Sequence, residues 1–361
     1  MRVESSSQLL DFVHLWGRQG GNMEELEFLN LDLSSLVVLS PPAKDLPARP
    51  SHRQKPRRAV RYLRCYRCRL QPGGMRRLAA SLKLSDTVRT LNLSGNSLGG
   101  VAGARELGQV LETCTTLKEL YIHRNELTSE GVRLVVSDGL SPRLLTLNLQ
   151  NNRIGLEGVK MVSQTSLHML ILASNGLEEA DIAPIADLLA SSNTCLQWLD
   201  LANNRIGNGL TALVSALERN RTLHTLMLSG NGMDDTGAAL LGNLLTRNCA
   251  LRTLDLACNN LGNDAVLRSL QPSVSYSNCL VSDLGLFANP RITREVVGGF
   301  YLELKRAVLI RQLVTLKSGA EVKRLGEKFA LKRLPKELFR LLGNMLHRAP
   351  VLPPQEEEDH L

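Results

Sequence analysis

Aromatic residues are scarce. Two Trp, five Tyr and six Phe make up 4% of the 361 residues, against a hydrophobic fraction of 43%. Such a chain must build its core from aliphatic side chains, and its apolar content excludes a disordered polymer. Long apolar runs are also missing. The stretch from Ser5 is polar, Asp11 and His14 interrupt the first apolar residues, and no later run approaches the roughly eighteen uncharged residues of a membrane span. Neither secretion nor membrane insertion is expected. The seven cysteines are an odd number, which argues against a disulfide framework and for reduced thiols in the cytoplasm, with the nucleus as the alternative. The sequon Asn220-Arg-Thr222 is then idle. No Gly-x-x-x-x-Gly-Lys-Ser/Thr loop and no His-Glu-x-x-His pair occurs, so nucleotide hydrolysis and metalloprotease chemistry lose their usual signatures.

What is present is a repeat. Leu196-Gln-Trp-Leu-Asp-Leu-Ala-Asn-Asn-Arg-Ile206 has the spacing Leu-x-x-Leu-x-Leu-x-x-Asn-x-Ile, and the same spacing recurs along most of the chain. Its asparagines are Asn96, Asn125, Asn152, Asn175, Asn204, Asn231, Asn259 and Asn289, at intervals of 29, 27, 23, 29, 27, 28 and 30 residues. An interval near 28 holds a strand, a turn and a helix, whereas the 23-residue interval holds only a shortened helix. Segments such as Leu210 to Leu217 place apolar residues at helical spacing. Gly131, Gly158 and Gly237 each fall six residues after a ladder asparagine, where a small residue lets helix and turn approach closely. A buried amide in each turn can satisfy backbone groups that would otherwise lie desolvated at about 1–3 kcal/mol each. The asparagines are therefore structural.

This pattern resembles the ribonuclease-inhibitor-like class of leucine-rich repeats over residues 60–292. Cys114, Cys195, Cys249 and Cys279 lie one to three residues before strands, as cysteines do near the repeat junctions of that class. The resemblance implies an α/β solenoid: a right-handed horseshoe of about eight or nine repeats, with parallel strands on the concave face and helices on the convex face. Similar repeats occur in the Ran GTPase-activating protein, in intracellular immune receptors and in a regulatory subunit of protein phosphatase 1, so the resemblance implies binding without choosing a ligand.

Five segments are expected. Residues 1–39 carry a helix-like start and a degenerate first repeat or cap, Leu26 to Leu36, with Leu29 at the central leucine position and Ser34 at the asparagine position. Residues 40–58, with Pro41, Pro42, Pro47, Pro50 and Pro56, form a basic loop or linker. Residues 59–292 are the repeats. Residues 293–348 form a basic helical C-terminal cap with Leu334, Leu338, Leu341, Leu342, Met345 and Leu346 on one face, and 349–361 is a disordered acidic tail.

Two motifs suggest chemistry and have simpler readings. Gly95-Asn-Ser-Leu-Gly99 matches the nucleophile elbow of hydrolases, but the frame already uses Asn96 and Leu98 and leaves Ser97 on a turn. Cys65-x-x-Cys68 has the spacing of half a zinc site or of a redox pair, yet no second pair follows, and the frame turns both sulfurs inward. No enzyme activity, metal or cofactor is expected.

Charge and the outward positions carry the functional reading. Between Leu46 and Ser85 there are twelve Lys/Arg residues and no Asp or Glu, and between Arg291 and Arg348 fourteen basic residues against five acidic. These ends could attract nucleic acid or an anionic surface, the less favoured alternative, since RNA-recognition and helix-turn-helix signatures are absent. Residues between the buried leucines project outward. The face begins basic with Arg61, Tyr62, Arg64, Tyr66 and Arg67, followed by Tyr121, His123 and Arg124. It turns apolar at Met169, Ile171, Trp198 and Met227, then acidic at Asp200, Asp255 and Asp283, near Phe287. The expected protein is a non-enzymatic interaction scaffold or regulator, monomeric on its own, binding a protein or peptide across this face. A GTPase activator or phosphatase regulator is the alternative, although the long acidic tail of the first and the Arg/Lys-Val-x-Phe motif of the second are lacking.

Overall fold

The structure, a computed structural model, describes Arg2–Val3, Glu25–Leu29 and residues 60–70, 72–82, 87–114, 116–136, 143–192, 194–275 and 279–315. Parallel strands form one sheet in chain order: β1 (Arg2–Val3), β2 (Glu25–Leu29), β3 (Tyr62–Tyr66), β4 (Thr90–Asn92), β5 (Glu119–Tyr121), β6 (Thr146–Asn148), β7 (Met169–Ile171), β8 (Trp198–Asp200), β9 (Thr225–Met227), β10 (Thr253–Asp255) and β11 (Asp283–Gly285). Parallel neighbours need a crossover. Helices supply it from β3 onward: α1 (Pro72–Leu82), α2 (Val101–Thr113), α3 (Ser129–Val136), α4 (Gly155–Val162), α5 (Ala183–Ala190), α6 (Thr211–Arg219), α7 (Asp235–Leu245) and α8 (Gln271–Val274). A 3-10 turn at Glu179–Ile182 leads into α5, and a π-helical stretch at Ala265–Leu270 leads into α8.

The leucine spacing sets the register. From Leu26 opposite Leu63 to Leu254 opposite Leu284, leucine pairs with leucine on every strand, and each is buried. Full burial of such a side chain contributes about 1.5–3 kcal/mol. The helices close the other side of this core with residues such as Val132, Val135, Leu213, Leu217 and Leu241.

The eight ladder asparagines are buried and bridge consecutive turns. Asn204 is representative. Its Oδ1 accepts from the N–H groups of Asn175 and Leu177, both at 3.0 Å, and its Nδ2 donates to Leu172 O at 3.2 Å and Leu201 O at 2.8 Å. In the first full repeat Cys68 takes the place of asparagine, and its thiol donates to Phe28 O at 3.2 Å. The residue before each ladder position is left-handed throughout: Arg67, Arg124, Asn151, Ser174, Asn203, Cys258 and Ala288 have φ between 52° and 56°, and Gly95 and Gly230 take 71° and 66°. For a side chain with a Cβ this conformation costs about 1–2 kcal/mol, which the two or more ladder bonds per turn offset.

The ladder weakens at the short repeat. Asn175 Nδ2 donates to Leu149 O and Leu172 O, but its Oδ1 is buried and accepts no hydrogen bond among the described residues. Helix α4 begins three residues after Asn152, through Gly155 at φ 55°, so the chain turns into the helix before presenting N–H groups to Asn175. A second set of amides was not read from sequence. Asn220 donates to Leu189 O and accepts from Leu223 N, and Asn248 donates to Leu217 O and accepts from Leu251 N, so each ties the end of one helix to the next strand. Asn220 is thus a buried structural residue.

Three expectations need correction or placing. The first repeat is out of frame by three: Leu26, not Leu29, pairs with the central Leu63, and Phe28 pairs with Cys65. Leu26 and Phe28 alternate into the core while Glu25 and Glu27 face away, and Phe28 supplies volume beside the small Cys65. The helix-like start contains a strand at Arg2–Val3; its other residues up to 24 lie outside the described residues. So do the 40–58 segment, Leu334 to Leu346 and the 349–361 tail. Two units are distinguished, Met1–Phe300 and Tyr301–Leu361. Of the expected cap, Arg294–Thr315 forms α9. Among the described residues no helix is long and apolar enough to cross a membrane.

Candidate binding face

Residues on either side of each central leucine point away from the core, and the register aligns them in two rows across β3–β11. One runs Tyr62, Thr90, Glu119, Thr146, Met169, Trp198, Thr225, Thr253, Asp283 and the other Arg64, Asn92, Tyr121, Asn148, Ile171, Asp200, Met227, Asp255, Gly285. Nearly all the expected face residues fall in or beside these rows. Arg61 precedes β3 and is exposed, while Arg67 and Arg124 sit in the left-handed turns at the strand ends.

The first part of the face is less purely basic than its arginines suggest. Glu25 and Glu27 of β2 lie opposite Tyr62 and Arg64, and Arg64 Nη1 reaches Glu27 Oε1 at 3.2 Å. The Tyr66 ring holds two guanidinium groups, Arg64 at 5.5 Å and Arg67 at 5.2 Å from its centroid, each such contact contributing about 0.5–1 kcal/mol at an exposed site. His123 lies 6.2 Å from the same ring, and its Nδ1 is 2.7 Å from Ser94 Oγ. Burial lowers the His123 pKa, and Arg124 and Arg64 lower it further, so His123 adds no charge at neutral pH. Tyr121 donates to Glu119 Oε2 at 3.4 Å, and Thr90 donates to the same oxygen at 3.2 Å. A shallow cavity of about 190 Å³ is lined by Glu25, Glu27, Tyr62, Arg64, Asn92 and Tyr121, among others.

The middle of the face is apolar. Trp198 is 37% exposed and pairs with Met169, while Ile171 and Met227 flank Asp200 on the adjoining strands. The acidic residues have a backbone duty that the sequence reading did not include. Asp200 Oδ1 accepts from Ala202 N at 2.9 Å and Asp255 Oδ1 from Ala257 N at 3.0 Å. Asn92 and Asn148, four and two strands before Asp200 in the same row, make the equivalent bond to Ser94 N and Gln150 N.

Burial raises the Asp200 pKa, and the charge of Asp255 raises it further, against the bond from Ala202. A raised folded pKa means that the native state holds this proton more tightly than the unfolded chain, so the contribution to stability is present at low pH and lost as pH rises through the folded pKa. Asp200→Asn keeps the oxygen that accepts from Ala202 and cannot ionise. The variant should therefore melt no lower than wild type at pH 7, and its advantage should shrink as pH falls through the carboxylate range. Thermal melts across that range check this; a variant that melts lower at pH 7 refutes it.

The motifs that suggested chemistry settle into the repeat. Ser97 occupies a left-handed turn position at φ 54° between buried Asn96 and buried Leu98. Cys65 and Cys68 are both buried and free, and burial pushes the Cys65 thiol pKa well up, with Cys68 adding to it. Ser94 and His123 form a serine–histidine pair invisible in the sequence, but Ser94 is fully buried and no carboxylate bonds the His123 ring among the described residues. Among those residues no group of three or more His, Cys, Asp and Glu is placed to hold a metal.

A parallel sheet with one residue ladder per turn, helices over one face and two solvent-facing rows over the other defines a leucine-rich repeat solenoid. A Leucine Rich repeat family model matches residues 113–136, 141–163, 192–213, 219–242 and 247–267. The ribonuclease inhibitor of Sus scrofa is 29% identical over 234 residues, covering 62% of this chain and 51% of that protein. NACHT, LRR and PYD domains-containing protein 14 of Mus musculus is 32% identical over 237 residues, covering 63% of this chain and 24% of that protein. The chain therefore spans about half the length of the first relative and a quarter of the second. Among solved structures, the leucine-rich repeat-containing protein LegL7 from Legionella pneumophila superimposes with a TM-score of 0.51 at 18% identity, over 85% of this chain and 98% of that one. The chain is a leucine-rich repeat solenoid whose repeats are similar to those of ribonuclease inhibitors.

Proposed function

We propose that this protein is a non-enzymatic interaction protein that binds a protein or peptide across the open face of its sheet. The observation that carries the reading is Trp198, an indole 37% exposed on a rigid sheet beside Met169, with Ile171 and Met227 close by. A large apolar patch left in water on a preorganised surface marks an interaction site, and buried aromatic anchors dominate interface energies at about 2 kcal/mol or more. The relatives support the class of function: the name of the pig protein describes an inhibitor of ribonuclease, and that of a Mus musculus relative, 28% identical over 222 residues, describes a linker of capping protein, Arp2/3 and myosin-I. Tyr62, Arg64, Tyr66 and Tyr121 would contact one end of the partner, Trp198 would bury its anchor, and Asp200 and Asp255 would set its orientation through charge.

Proximity labelling in cells compares wild type with Trp198→Ala and with Leu267→Ala, an exposed apolar residue on the helical side. Neighbours of the wild type should be retained by Leu267→Ala and lost by Trp198→Ala. The purified partner should then bind Trp198→Ala at least tenfold more weakly, about 1.4 kcal/mol, with an unchanged melt. Equal labelling by the two variants would sink the proposal.

A further inference from the structure

Resting on that reading of the face, we infer that the partner segment carries an arginine or lysine next to its apolar anchor, the cation lying over Met227 between Asp200 and Asp255. Four strands end their outward row in an Asx residue that accepts the N–H two residues on: Asn92, Asn148, Asp200 and Asp255. The backbone requires only an oxygen, which a neutral amide supplies on β4 and β6. On β8 and β10 the same position carries a carboxylate, whose second oxygen the strand end does not use.

Neither carboxylate is paired with a cation among the described residues. Asp200 is half-buried and Asp255 adds repulsion, so the charge of Asp200 opposes rather than serves the fold. They stand on either side of Met227 in one row, two strand spacings apart, roughly 9–10 Å. A guanidinium with a hydrogen bond of about 2.9 Å on each side spans roughly 8 Å, close to that separation. Gly285, next in the row, leaves room for Asp255: a Cβ there would meet Asp255 Oδ1. Trp198 stands two residues before Asp200 on the same face, placed to receive the apolar neighbour of the cation or its aliphatic stem. Charge complementarity thus selects a basic residue beside an apolar one as the occupant of this part of the face.

The test uses the full chain and a displayed library of random dodecapeptides, selected in parallel on wild type, Trp198→Ala and the double variant Asp200→Asn/Asp255→Asn. The wild type should enrich peptides with Arg or Lys within two residues of a large apolar side chain. Replacing that Arg by neutral citrulline in a synthetic peptide should weaken binding to wild type at least tenfold and to the double variant less than twofold. The double variant should melt no lower than wild type, which separates lost recognition from lost fold. Peptides that need Trp198 but carry no basic residue, or an equal citrulline loss on both proteins, would overturn the inference and leave the binding face standing. Failure to select any Trp198-dependent peptide would overturn both. A melt raised by calcium chloride alone in wild type but not in the double variant would assign the pair to a metal ion instead and overturn the inference.

Discussion

Asn204→Ala should destabilise the protein by about 3 kcal/mol or more, whereas Asn175→Ala, the same substitution one repeat earlier, should cost about 1 kcal/mol. The difference lies in the oxygen. Removing the Asn204 side chain strips the N–H groups of Asn175 and Leu177 of their acceptor inside the solenoid, and also removes a donor from Leu172 O and Leu201 O. Each buried N–H left without a partner costs about 1–3 kcal/mol. Among the described residues Asn175 supports no N–H through its own Oδ1, which is already buried without a hydrogen-bond partner. Its loss therefore deprives only carbonyl groups, which tolerate missing partners better than N–H groups do, and at the same time eliminates a desolvated oxygen. Chemical denaturation of the two variants beside wild type measures the gap. Equal losses would show that the shortened repeat does not weaken the ladder.

The contrast marks where the sequence stops being legible. The 23-residue interval can be counted directly, and a shortened helix follows from it. That the shortening starts α4 early enough to leave one amide oxygen without a donor depends on the path of the turn through Gly155, which no spacing expresses. The same limit applies to the left-handed residues before the ladder positions. Glycine announces that conformation at Gly95 and Gly230, but Arg67, Arg124, Ser174, Cys258 and Ala288 adopt it because neighbouring turns impose it.

The frame of the first repeat is ambiguous in the sequence for a related reason. Leu26, Leu29 and Leu31 satisfy more than one frame, and the choice is made by pairing with β3, where Phe28 fills the layer beside Cys65. On the candidate face, period-two alternation was enough to place Met169, Ile171, Trp198, Asp200, Met227 and Asp255 in two rows. It could not distinguish a carboxylate held for its charge from an amide held for its backbone bond. That distinction needed Asn92 and Asn148 to be seen making the bond that Asp200 and Asp255 make.

Gly99→Ala should be as damaging as the loss of Asn204, while Gly100→Ala should change stability by no more than about 0.5 kcal/mol. A Cβ on Gly99 would fall within 2.8 Å of Asn125 O and closer still to the carbonyl of Glu126, whereas one on Gly100 would meet nothing within 4 Å. The groups in the way at Gly99 are backbone, so no rotamer change relieves the clash, and they belong to the turn that carries ladder residue Asn125. Accommodating the methyl must push two repeats apart at the point where Asn125 Oδ1 accepts from Asn96 N at 2.8 Å. Overpacking of this kind costs about 1–3 kcal/mol and occasionally more, and with a ladder bond lost as well about 3 kcal/mol is expected. At Gly100, the N-cap of α2 with φ −68° and ψ 152°, the smaller unfolded-state entropy of alanine offsets its poorer capping. The second glycine of Gly95-Asn-Ser-Leu-Gly99 is thus explained by the stacking of one turn on the next, with no nucleophile required. If Gly99→Ala instead melted with wild type, the close approach of these two turns would not be what demands the glycine.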